Sequence, residues 1–122
     1  MATWVIINNG SGEMQVGKDG LFFICNSTGL ANTIHAVHWD GSNGEVENKD
    51  VSTGDITHNS EITSFADYAF AETAWNSAYT TALNEAKQAA YDAAYDAAIA
   101  NGDSEDDAVA AGNAARDAVT SL

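Results

Sequence analysis

Metal binding and nucleophilic catalysis need donors that converge, and the sequence offers three histidines, one cysteine and a surplus of carboxylates. His35 and His38 share the run Ile34 to Trp39 (IHAVHW). Their odd spacing sends them to opposite faces of a strand, so the two do not chelate one ion together, and His58 is expected alone in a loop. Cys25 ends the apolar run LFFIC, the setting of a buried small residue and not of a nucleophile. As the only cysteine it forms no intramolecular disulfide, and it excludes a Cys-based zinc ribbon.

The carboxylates are the other resource. Asp40, Ser42, Asn43, Gly44, Glu45 and Glu47 gather oxygen atoms around a turn. They lack the Asp-x-Asp-x-Asp-Gly order and the distal bidentate Glu of a calcium loop, so turn chemistry accounts for them. Asp92 and Asp96, with the acids between Asp103 and Asp107, read as a solvated face. The chain contains no Gly-x-Ser-x-Gly elbow, phosphate-binding Gly-Lys loop, dinucleotide-binding Gly-x-Gly-x-x-Gly turn or His-Glu-x-x-His helix. Tyr91-Asp92 and Tyr95-Asp96 repeat an Ala-Ala-Tyr-Asp unit whose simplest role is helix packing with an acidic outer edge. Neither catalytic residues nor a metal or cofactor are expected.

Length and charge bound the function further. The chain has 122 residues, 18 acidic against 4 basic, and a formal net charge of −14. That is one domain, or two very small ones sharing a core. Such a surface repels phosphate backbones and anionic lipid, so neither direct nucleic-acid contact nor membrane attraction is expected. No stretch approaches the roughly 20 apolar residues of a membrane span, and MATWVIINNG is not a secretory leader. The acids are interspersed with Ser, Thr, Asn and Gly, which fits a soluble folded surface or a salty medium.

The positioning elements change character near residue 60. Eight of the 10 glycines lie at or before Gly54, and 20 of the 23 alanines lie after Phe65. The expected fold is α+β: a β-rich head over residues 1–60, built as a small antiparallel sheet, then an Ala-rich helical hairpin over 61–122. Thr3 to Asn8, Leu21 to Asn26, Ile34 to Trp39 and Glu45 to Asn48 read as strands bounded by turn residues. The last two form a hairpin, with Asn43-Gly44 suited to positive φ.

Ser64-Phe65-Ala66-Asp67 fits a capping box that opens a helix over about 65–100, roughly 54 Å long. Asn101-Gly102 ends it, and Asp103 or Ser104 caps a second helix over about 104–121. Ala108, Ala111, Ala115, Ala118 and Leu122 follow a 3-4 rhythm that matches Ala82, Ala86, Ala89 and Ala93 across an antiparallel seam. An overlying row, Ala74 to Ala98 at every fourth residue, drifts around a straight helix and meets different neighbours along its length.

The second helix covers only the distal half of the first. Phe65, Tyr68, Phe70, Trp75, Tyr79 and Leu83 then need cover from the β half or from another subunit. A Gly-rich head of this size shields few turns, so these six are expected at an intermolecular interface.

The segment Ile34 to Asp55, IHAVHWDGSNGEVENKDVSTGD, resembles a stretch of small structural proteins of tailed bacteriophages, marine ones in particular. In them a hairpin of the form (I/V)xAVxW-x-G-x-x-GE(I/V)E precedes an Ala-rich helix. The match runs through Ala36-Val37, Trp39, Gly41, Gly44-Glu45 and Val46-Glu47, then less closely through Ile62 to Phe70, about a third of the chain. The resemblance implies a virion component, a tail or fibre-attachment part before a capsid decoration, with no catalytic residue to carry over. Its expected partners are copies of itself and other virion proteins, and it is made in the host cytoplasm. The alternative from another class is an acidic intracellular inhibitor or DNA mimic.

Overall fold

Turns with positive φ organise the first strands. In the computed structural model, which describes residues 2–122, Gly10, Ser11 and Gly12 all take positive φ. They fold Trp4–Gly10 (β1) back onto Glu13–Lys18 (β2). Asp19 (φ 50°) and Gly20 (φ 89°) then make a two-residue turn whose twist suits a hairpin, placing Leu21–Asn26 (β3) on the far side of β2. The 27–33 connection leads to Ile34–Trp39 (β4), which pairs with β1. Gly44–Lys49 (β5) and Ile56–Ile62 (β6) follow in order. The result is one six-stranded antiparallel sheet in the order β3-β2-β1-β4-β5-β6.

Two strands stand where the sequence reading has none. In β2 only Met14 and Val16 carry the apolar alternation, but both are fully buried. β6 (ITHNSEI) is exposed along nearly its whole length, so it has no hydrophobic pattern and is held by pairing to β5. His58 therefore lies on a strand and not in a loop.

The β4–β5 hairpin forms as expected, although Gly41 (φ 105°) takes the positive φ in place of Asn43-Gly44. Gly44 has a different reason: a Cβ there would overlap the carbonyl oxygen of His38.

Register aligns Phe23, Val16, Ile6, Val37 and Val46 in one row across five strands. Trp4 and Trp39 pair in the neighbouring row. This face is the core of the first unit, and the segment that follows β6 covers it with Phe65, Ala71 and Trp75, all buried.

The helix start differs in detail. The Ser64 hydroxyl accepts from the Ala66 N–H at 3.2 Å, and a 3-10 turn at Ala66–Tyr68 precedes Ala69–Ala100 (α1). The capping box reading is corrected accordingly, because Ser64 bonds two residues ahead and not to Asp67. The far end closes as the sequence implies. Gly102 N–H donates to Ile99 O and Asp103 N–H to Ala98 O, both at 3.0 Å, with Gly102 at φ 88°. Ser104 then caps Glu105–Ala118 (α2) by accepting from Asp107 N–H at 3.2 Å.

By compactness the chain divides between Ala78 and Tyr79, so the opening turns of α1 go with the sheet. In the second unit the seam corrects the 3-4 expectation on α1. Ala89 and Ala93 are exposed, whereas the four-residue row ending at buried Ala98 (Ala82, Ala86, Ala90, Ala94) is covered in full or in part, as are Leu83, Tyr91 and Tyr95 beside it. On α2 Ala108 and Gly112 are buried and Ala111, Ala115 and Arg116 are partly covered, so the expected 3-4 row holds from Ala108 to Ala115, whereas Ala118 and Leu122 are exposed.

Candidate functional site

Of the six residues expected at an interface, five have partners within the chain: Phe65, Tyr68, Phe70, Trp75 and Tyr79. Phe65 is 8% exposed and stacks between Trp4 (5.9 Å between centroids) and Trp39 (5.8 Å). Trp75 is 7% exposed, meets Trp4 edge-on at 5.9 Å and Phe23 at 5.6 Å, and donates its Nε1–H to Leu21 O at 2.9 Å. Tyr79 Oη accepts from the Leu122 N–H at 3.2 Å. The expectation of an intermolecular interface is therefore corrected for Phe65 and Trp75. The sheet covers them through Trp4 on β1, Phe23 and the Leu21 carbonyl on β3 and Trp39 on β4, with Lys18 of β2 over the Trp75 ring at 5.1 Å. Tyr68, Phe70 and Leu83 are half-buried. Tyr68 packs between Phe65 and Phe70, and burial, then the Asp67 carboxylate, raises its hydroxyl pKa.

β6 creates a juxtaposition that a loop reading conceals. His38, Glu45 and Glu61 pair across β4, β5 and β6, on the sheet face opposite the aromatic core. They border a cleft of about 460 Å³ at the strand ends, which Asp40, Trp4 and Trp39 also line. The cleft carries three carboxylates and no Lys or Arg, so its field disfavours anionic guests. Among the described residues no group of three His, Cys, Asp or Glu side chains is arranged to hold a metal ion.

Asp40 has a structural role at the rim. Its Oδ1 accepts from the backbone N–H groups of Ser42 (2.9 Å) and Asn43 (2.8 Å). These bonds, Asn43 first, hold its pKa below the usual carboxylate value. Cys25 is half-buried on β3, and burial raises its thiol pKa, which keeps the sulfur protonated and a poor nucleophile.

The remaining surface feature is apolar. Leu21 (38% exposed), Phe22 (43%) and Ile24 (58%) line β3, an edge strand of the sheet. Phe22 and Ile24 project opposite to Phe23, onto the same face as half-buried Val5 and Ile7.

The class these features define is an α+β protein: a six-stranded antiparallel sheet with one face covered by the start of a long helix, and that helix continuing into a helical hairpin. No protein-family model, curated protein or solved structure matches the chain. No described helix is long and apolar enough to cross a membrane.

Proposed function

We propose that this chain is a non-enzymatic structural protein of a tailed-phage virion. It self-associates or docks on other virion proteins, as a tail or fibre-attachment component before a capsid decoration. It is made in the host cytoplasm and carried in the particle. The observation that carries the reading is the exposed apolar edge of the sheet, Leu21, Phe22 and Ile24, on a chain whose net charge is −14. Large apolar side chains gathered at a strand edge are a liability in a free monomer and useful in a subunit. The hairpin Ile34 to Lys49, where the phage resemblance is strongest, supports the same reading through Gly44, whose missing side chain lets β5 approach His38. Repetition multiplies a modest interface, so a small subunit suffices.

Mass spectrometry of purified particles of the encoding phage tests this. The chain is expected among the virion proteins in several copies per particle. Its absence from washed, infectious particles overturns the proposal.

A further inference from the structure

The two edges of the sheet are built differently. β6 carries Glu61, starts just after Asp55, and pairs with β5 through an irregularity at Asn48/Lys49. β3 pairs with β2 in unbroken register from Glu13↔Asn26 to Lys18↔Leu21 and contains neither charge nor proline. The neutral stretch is longer than the strand: Gly20 to Trp39 holds no Asp, Glu, Lys or Arg, in a chain with 18 acids. Natural edge strands are commonly blunted by charge, proline or a bulge, and β3 has none of the three.

The backbone along this edge is set for pairing. Ser27 N–H donates to Gly12 O at 2.9 Å, and antiparallel pairs alternate. Cys25, Phe23 and Leu21 therefore turn their N–H and C=O groups toward β2, while Phe22, Ile24 and Asn26 turn theirs to the open side.

We infer that β3 pairs antiparallel with β3 of a second copy, joining two six-stranded sheets across a two-fold axis at Ile24. This rests on the reading of the chain as a self-associating subunit and names its contact. In the register that pairs all three open residues, Ile24 exchanges both hydrogen bonds with Ile24 of the second copy, and Phe22 pairs with Asn26 on each side. Ile24 then meets its symmetry mate on the outer face, where each copy adds Phe22 and Ile7.

The occupant is a second copy for two reasons. The edge is complementary to itself under a two-fold, and this neutral strip is where two chains of charge −14 approach with least repulsion. Screening that repulsion strengthens the pair, so association rises with salt.

Amide hydrogen exchange of the full chain, followed by NMR at low and high protein concentration, tests the pairing. The amides of Phe22, Ile24 and Asn26 are expected to slow by about tenfold or more as the dimer fills, while core amides change little. Ile24→Pro removes an open-edge donor that β2 does not use, and Ile24→Lys sets two cations opposite each other at the axis. Both are expected to give monomers that keep the wild-type exchange pattern in β1 and β2, and Ile24→Val is expected to dimerise. If Ile24→Pro fails to fold, Ile24→Lys decides.

A dimer whose Phe22, Ile24 and Asn26 amides still exchange freely overturns the β3 contact and leaves self-association standing. A monomer at every concentration and salt overturns the contact too. Membership of the virion is decided separately, by the composition of purified particles.

Discussion

The indole Nε1–H of Trp75 donates to the carbonyl oxygen of Leu21 at 2.9 Å, joining α1 to the edge strand β3 across 54 residues of sequence. The same ring lies edge-on to Trp4 and Phe23, so one side chain binds the sheet's cover to its first and third strands. A polar tip satisfied beneath an apolar body is how a large aromatic is accommodated in a small core.

Trp75→Ala is expected to destabilise the protein by about 3–5 kcal/mol, the usual range for emptying a buried aromatic site. Trp75→Phe keeps most ring contacts and loses the bond to Leu21, at about 1–2 kcal/mol. Urea unfolding followed by circular dichroism measures both. Equal, small effects would mean that Trp75 is not part of the core.

Gly112 packs against the Tyr91 ring across the helical hairpin. A Cβ at Gly112 would lie 2.6 Å from Tyr91 Cε2. That ring has little room to retreat, since it stacks on Tyr95 at 6.0 Å and lies under the Arg116 guanidinium at 6.0 Å. In an open helix Gly→Ala stabilises by about 1 kcal/mol, whereas overpacking costs about 1–3 kcal/mol. Gly112→Ala is therefore expected to destabilise wild type and to stabilise a Tyr91→Leu background. A double-mutant cycle in urea reads the change of sign.

Asp40 gives the β4–β5 turn a pH dependence. Its folded pKa lies below the ordinary value, through the N–H groups of Asn43 and Ser42. The carboxylate thus supports the turn at neutral pH, and that support is lost as pH falls past the unfolded value and through the folded one. Amide exchange at Ser42 and Asn43 is expected to quicken, relative to the intrinsic rate, only below the usual carboxylate range. Asp40→Asn, which keeps an acceptor oxygen, is expected to flatten that dependence.

What was legible in the sequence follows the density of its apolar signal. Thr3 to Asn8, LFFICN and IHAVHW have enough β-branched and aromatic residues to stand out, and Asn101-Gly102 followed by Ser104 closes and reopens a helix by local chemistry alone. β2 is sparser, yet Asp19-Gly20 beside the Met14/Val16 alternation is a two-residue hairpin signal that would have found it. β6 offers no such cue, because a strand exposed on both faces shows no period. Missing it conceals the row His38, Glu45 and Glu61. On α1 burial follows the four-residue row from Ala82 to Ala98 and leaves Ala89 and Ala93 exposed, while on α2 the 3-4 rhythm holds over Ala108, Ala111 and Ala115.

The central claim is that the chain is a subunit completed by further copies, and static light scattering of the purified chain over concentration and salt tests it most directly. The mass is expected to rise above the 12.8 kDa of one chain with concentration, and to rise further as salt screens the −14 charge. A mass fixed at 12.8 kDa under every condition would contradict it.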